Sequence, residues 1–322
     1  MRAIICERTK CDRSAARLIP ALGHHRPTRL PLSVRLTGIG IWSGDLRAGG
    51  DPGLAAEAAA EVEELGYTAL WMPGFTDGPL VDPISNVLSA TTRLVAATGI
   101  LNVWMRDAAR TAAEFARIQT AHPDRFLLGL GISHAVMVDR EQPGRYQRPL
   151  ATMRDYLDAL DAATPPIPSA ARVLAALGPR MLELARDRAA GAHPYFVPPE
   201  HTARARAILG DGLLAPEQAV LLETDSVRAR EIARTHVSVY LRLPNYTNNL
   251  LRLGFSDEDL AGAGSNRLVD AIVAWGDADT IRARIQAHRD AGADHVCIQA
   301  LHANPGTLPR EQWRELAAIL ID

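Results

Sequence analysis

The residues that could do chemistry in this 322-residue chain do not form a metal or hydrolase pattern. Its ten histidines include no HxxxH pair on a helix, and no GxSxG elbow, Walker loop or GxGxxG opening a helix occurs. Hydrolysis by a preset nucleophile or a bound metal therefore lacks support. What remains is a set of small and aromatic residues just after apolar runs: Trp42 and Ser43; Trp71, Met72 and Phe75; Gly99, Ile100, Asn102 and Trp104; Ser133 and His134; and Gly178, Pro179 and Arg180. Glycines such as Gly99 and Gly131 let backbone approach a flat ligand closely. Each indole taken singly reads as core, but three at run ends point to a planar cofactor. His134, by its residue type, is expected to donate a proton or a hydrogen bond near neutral pH. Gly178-Pro179-Arg180 reads either as an ordinary turn into a helix or as a helix N-terminus presenting N–H groups and a cation to phosphate.

These residues need a scaffold that brings run ends together. Strand-like runs occur at 34–42, 68–72, 94–101, 125–132, 172–177, 193–197, 213–223 and 295–301, with helical patterns between them. The stretch 94–134 shows the unit: two near-continuous apolar runs joined by a helical crossover, as parallel strands buried on both faces require. Met153, Tyr156, Leu157 and Leu160 fall on one helix face, and 54–65 ends at Gly66, a fitting C-terminal stop. Asp82 is the expected cap of the next helix. Eight such units predict a (β/α)8 TIM barrel of class α/β, with active-site residues at the C-terminal strand ends. A doubly wound sheet fits less well, because Gly38, Gly40 and Gly44 lead into a loop and not a helix. Two inserts break the rhythm, after strands 4 and 7. The first, 135–149, carries Arg140, Arg145, Tyr146 and Arg148. The second, 226–294, includes LPNYTNNLLRLGF (243–255) and an expected helix over 268–275. Both are candidate pocket walls.

Composition sets further bounds. Net charge is −2 and 47% of residues are hydrophobic, which speaks against nucleic acid as a partner, and no apolar run is long enough to predict a membrane span. Three cysteines are too few for a disulfide framework and point to a reducing, cytoplasmic setting. Cys6, Cys11, His24 and His25 lack zinc-site spacing. Residues 1–33 carry seven Arg or Lys against two acidic residues and read as a poorly ordered extension, leaving 34–322 as one catalytic domain.

The runs LVAATGILNVW, AHPDRFLLGLGISH, VLAALGPRMLELARDRAAGAHPYFV and AGADHVCIQAL give the chain, from about residue 34 to the end, a resemblance to the bacterial luciferase-like family of flavin-type oxidoreductases. The branch it most resembles uses the deazaflavin coenzyme F420. The resemblance implies a cis peptide at Gly99-Ile100, with Ile100 behind the deazaflavin ring and Asn102 at its edge. It implies cofactor contacts at Trp42, Ser133, Gly178, Pro179 and Arg180, and a substrate pocket of Trp71, Met72, Trp104 and Tyr146. The implied chemistry is hydride transfer between deazaflavin C5 and a substrate carbon, with a protein acid or base handling the proton; His134 is this chain's own candidate for that role. Sugar-phosphate dehydrogenases of the family carry a Glu after strand four, where this chain has His134, and an Asp-His pair after strand two, where it has Trp71-Met72. After strand six they carry a phosphate-binding Lys, where this chain reads Pro198-Pro199-Glu200. An apolar or conjugated small molecule is therefore the expected substrate, and a homodimer the expected assembly. The alternatives are an FMN-dependent monooxygenase and a non-catalytic cofactor-binding protein.

Overall fold

The computed structural model of the protein describes residues 36–304 and 306–321, so the expected extension 1–33, with Cys6, Cys11, His24 and His25, lies outside the described residues. The strands are β1 (Gly38–Trp42), β2 (Ala69–Met72), β3 (Val95–Thr98), β4 (Leu101–Asn102), β5 (Phe126–Gly131), β6 (Arg172–Leu174), β7 (Gly191–Ala192), β8 (Leu213–Leu214), β9 (Glu217–Leu222), β10 (Val273–Gly276) and β11 (His295–Ala300). All pairings are parallel, and β11 returns to β1, Gly38 opposite His295 through Ile41 opposite Ile298. The run 213–222 closes the ring. Its first half pairs with β7 and its second with β11. It divides at Pro216, which has no N–H to give the ladder. The result is an α/β (β/α)8 barrel.

Beyond Pro194 the sixth strand leaves the sheet, earlier than the expected 193–197 run, and β10 pairs with β9 in its stead, Val273 opposite Ala219 through Gly276 opposite Leu222. This corrects the expected helix over 268–275: the helix is Asn266–Ile272, after which buried Val273 and Ala274 join the sheet. Likewise Asp82 lies inside the first turn of helix Val81–Ser89 and is not its cap. The helix patterns over 54–65 and 153–160 appear as helices Pro52–Glu64 and Pro149–Asp161.

The core has two layers about the barrel wall. Between strands and helices lies a large aliphatic cluster that includes Ile41, Leu70, Leu128 and Trp313. Inside the barrel, Trp42 and Trp71 are packed with Ala69, Ala97, Leu127, Val173 and Ala215, small residues making room for the two indoles. The second insert has its own cluster, from Phe196 and Leu221 to Val237, Leu250 and Ile272.

One carboxylate pins the entrance to β3. Glu63, at the end of helix Pro52–Glu64, accepts the backbone N–H groups of Thr92, Arg93 and Leu94. Burial alone would raise its pKa, but the bonds from Arg93, Thr92 and Leu94 outweigh it and bring the group down to about 2. A carboxyl depressed in the folded state contributes stability above its ordinary value and loses it as pH falls. The Glu63 contribution is thus full above pH 4.5 and vanishes on descent through about 2. Glu63→Gln is expected to cost on the order of 2 kcal/mol at neutral pH, discounting for partial exposure. Urea unfolding should show the deficit shrinking between those pH values; a pH-independent deficit would contradict the assignment.

Candidate functional site

The barrel strands deliver their ends to one cavity of about 490 Å³. From the strand ends it is lined by Gly99, Ile100 and Asn102 after β3, Gly131, Ser133 and His134 after β5, Ala175 to Gly178 after β6, and His193 and Tyr195 after β7. The inserts add Met137 and Tyr146 from the first, and Asn245, Tyr246, Asn248 and Arg252 from the second.

The Gly99-Ile100 peptide is cis, at the position the resemblance implies. Local sequence explains how the wall accommodates the bend. The β3 ladder to β5 stops at Ala97 opposite Leu127 and resumes as β4 at Leu101 opposite Leu130. In the gap the Thr98 hydroxyl replaces it, donating to the Gly129 carbonyl at 2.7 Å and accepting the Gly129 N–H at 2.8 Å. The Ile100 side chain then turns over the sheet against Gly131, where a Cβ would come within 2.5 Å of Ile100 Cδ1. Gly129 and Gly131, either side of Leu130, are thus the hollow that receives the bend, and Ile100 is left partly exposed as an apolar ridge in the cavity.

His134 caps helix Ala135–Glu141 with extended backbone and holds its ring 5.1 Å from that of Tyr246. Burial lowers its pKa to about 4. The sequence suggests a proton donor near neutral pH; the structure makes His134 a neutral imidazole there, a base or hydrogen-bonding group and not a standing acid. The insert is tied to this corner by Asn245, whose Nδ2 donates to the Ser133 carbonyl at 3.0 Å and to Tyr146 Oη at 3.4 Å. Burial raises the phenols of Tyr146, Tyr195 and Tyr246, so all three are neutral donors.

The other expected residues are not all brought together. Gly178 lines the cavity as the N-cap of helix Pro179–Arg188, without a side-chain cap bond. Pro179 and Arg180 are exposed and stay outside the wall. The guanidinium at this N-terminus belongs to Arg252, whose Nη2 would lie 3.8 Å from a Cβ on Gly178. Nor is the mouth lined by tryptophan. Trp71 and Met72 are fully buried, Trp71 stacking on His193 inside the barrel. Trp104 gives its indole N–H to the Ile132 carbonyl at 2.7 Å and backs Tyr146 from behind. Trp42 packs beside Gly99 beneath the cavity. Alternation along a strand decides only between the lumen and the layer outside the barrel: Trp42 and Trp71 turn inward and Met72 outward. Sequence reasoning missed Arg252, Tyr246 and Asn245; their only signal was membership of the 243–255 stretch of the second insert.

Among the lining side chains there is no Asp, Glu or Lys, and one Arg, Arg252. Among the described residues no three His, Cys, Asp or Glu side chains are gathered as metal ligands, and no helix is long and apolar enough to cross a membrane. The cavity therefore offers an apolar slot with a ridge, a group of neutral hydrogen-bonding side chains, and a guanidinium beside Gly178 at the start of a helix. Those features fit a flat ring carrying a phosphate tail.

Comparison with known proteins agrees with this geometry. The family model for luciferase-like monooxygenases matches residues 37–213, more than half of the chain. A putative coenzyme F420-dependent oxidoreductase of Mycobacterium tuberculosis is 24% identical, over 82% of this chain and 94% of its own. Among solved structures, an F420-dependent secondary alcohol dehydrogenase with an F420-acetone adduct superposes with a TM-score of 0.66 at 16% identity, covering 89% of this chain and 100% of that one. The FMN-bound oxygenating constituent of 3,6-diketocamphane monooxygenase from Pseudomonas putida gives 0.65 at 12% identity, covering 88% and 97%. With the family model matched over more than half of its length, the chain belongs to the luciferase-like monooxygenase family.

Proposed function

We propose that the protein is an F420-dependent oxidoreductase that moves a hydride between the deazaflavin and a small, mainly apolar organic substrate. The observation that carries the reading is the lining of the cavity: a ridge at Ile100 for a ring face, and Arg252 with the Gly178 helix terminus for a phosphate, in a wall without acidic side chains. The relative from M. tuberculosis supports the choice of F420 over FMN. When bound, the deazaflavin supplies two-electron hydride chemistry. The chain's own residues do the rest. Ile100 and Gly131 shape the slot, Asn102 and Ser133 offer polar groups at its edge, and the insert residues Tyr146, Tyr246 and Asn245 cover it. His134, neutral, is available in the same cavity as a base or hydrogen-bonding group.

Titration of the purified protein with F420 and with FMN, followed by their absorbance, tests the cofactor. F420 is expected to bind and FMN to bind weakly; tight FMN and no F420 would replace this reading with the flavin monooxygenase one. In the same assay His134→Ala should retain F420 while turnover on an identified substrate falls by roughly 10²-fold, the usual scale for an acid-base group. An F420-binding chain that oxidises or reduces nothing across alcohols, enones, imines and aldehydes would favour a carrier role.

A further inference from the structure

Where the sixth strand leaves the sheet at Pro194, one residue of β9 holds the departing chain twice. Glu217 donates its backbone N–H to the Pro194 carbonyl at 2.8 Å, and its side-chain Oε2 accepts the Phe196 N–H at 3.1 Å. At that second bond the chain turns through Phe196, whose φ of 60° lies in the left-handed region that bulky side chains rarely occupy. Such a conformation persists only where its surroundings enforce it. The turn leaves Phe196 in the cluster of the second insert and Tyr195 on the wall of the cavity, its ring centroid 5.1 Å from that of Trp42. Tyr195 donates its hydroxyl hydrogen to Gln299 Oε1 at 2.7 Å, so the Tyr240 hydroxyl, 2.6 Å away, donates to Tyr195. Gln299 lines a second cavity, of about 610 Å³, to which Tyr195 does not contribute. The Tyr195–Gln299 pair thus stands as a partition between the two cavities.

Glu217 is 1% exposed, and its Oε1 meets no hydrogen-bond partner among the described residues. The titratable groups facing it are the phenols of Tyr195, of Tyr240 on helix Ser226–Tyr240 and of Tyr246 on helix Pro244–Leu253, and the Cys297 thiol of β11. Burial raises the pKa of all four, so they are uncharged at neutral pH and none offers a cation to a carboxylate. We propose that Glu217 is a positioning residue of the site: its carboxyl clasps the turn at Phe196 and so fixes Tyr195 as the wall between the two cavities. Burial pushes the Glu217 pKa up to about 8, so the clasp is an un-ionised carboxyl at neutral pH. Above that value an uncompensated charge lies among phenols and a thiol, and opening the turn to solvent relieves its cost. The wall is therefore expected to loosen in mild alkali. The clasp itself requires no particular cofactor; its effect on F420 rests on the deazaflavin reading.

The test is nuclear magnetic resonance of the full chain with ring-labelled tyrosine, of which the chain has six, followed from pH 6 to pH 9.5. Tyr195→Phe identifies the Tyr195 signals. At neutral pH Glu217→Gln, which keeps an acceptor for the Phe196 N–H, should leave those signals in place, whereas Glu217→Leu should displace them. In the parent they should also move with a midpoint near pH 8, and in Glu217→Gln they should not. Should Glu217→Leu fail to fold, the parent and Glu217→Gln across pH decide alone. Tyr195 signals that are the same in the parent and Glu217→Leu, or an equal pH response in the parent and Glu217→Gln, overturn the proposal. F420 titration at pH 7 and pH 9 adds a binding readout: the parent should lose affinity at the higher pH relative to Glu217→Gln. Displaced Tyr195 signals with equal affinities would overturn the claim that the clasp serves the site. Binding of F420 by neither protein, with the Tyr195 shifts as expected, would sink the cofactor reading and leave the Glu217 clasp standing.

Discussion

Gly129→Ala is expected to destabilise the protein by roughly 3–5 kcal/mol, lowering Tm by about 5–10 °C for a chain of this size. A Cβ at this position would sit 2.0 Å from the Thr98 carbonyl oxygen, and that atom belongs to backbone and cannot rotate away. The same shift would pull Gly129 off the Thr98 hydroxyl, which holds both its N–H and its carbonyl, leaving two buried polar groups to find partners. Because Ile100 rests against this strand, the ridge in the cavity should move with it, and F420 affinity should fall alongside Tm. Gly78→Ala is the control. Its Cβ would meet nothing within 4 Å, and a Tm near that of the parent is expected. Calorimetry of the two variants decides the matter: equal Tm values would mean that the wall beneath the bend yields easily.

Arg252→Ala should weaken F420 binding roughly tenfold to a hundredfold, the range for losing a hydrogen bond to a charged group, about 1.5–3 kcal/mol. Arg180→Ala should change it less than twofold. Both arginines are exposed, but Arg252 alone lines the cavity and approaches Gly178. Lysine at 252 should recover part of the loss, since it restores charge without the planar fork. Fluorescence titration at fixed salt measures all three, and equal losses for the two alanine variants would refute the placement of the phosphate at Arg252.

The contrast between these two arginines shows what was legible in the sequence. Strand runs such as 94–101 and 125–132 carry their own evidence, because burial on both faces forces continuous apolar residues; the barrel follows from them. The bend at Gly99 and the helix terminus at Gly178 also sit where run ends meet small residues. Arg252 is different. It lies on helix Pro244–Leu253, and its return to the mouth depends on how the second insert packs and on the Asn245 bond to Ser133, which no local periodicity encodes. The tryptophans err in the opposite sense. Trp42 and Trp71 stand opposite each other in the β1–β2 register and turn into the barrel lumen, where Ala69 and Ala97 leave room. Residue type and height on the strand were readable, but the direction of the side chain at a strand end was not. His193 went unnoticed for the same reason, inside a run read only as strand.

The separate apolar cluster of the second insert has a consequence for how such a protein diverges. All of its buried members except Phe196 lie beyond residue 213, where the family match ends, and they pack with one another more than with the aliphatic layer around the barrel. Substitutions there draw on the insert's own packing and leave the strands that hold Ile100 and Gly178 in place. Tyr195, packed against both the lumen and the insert clusters, is the hinge point between the two regimes. Because Arg252 rides on a helix of that same insert, a change in its packing would move the proposed phosphate contact together with the wall, while leaving the ridge at Ile100 in place.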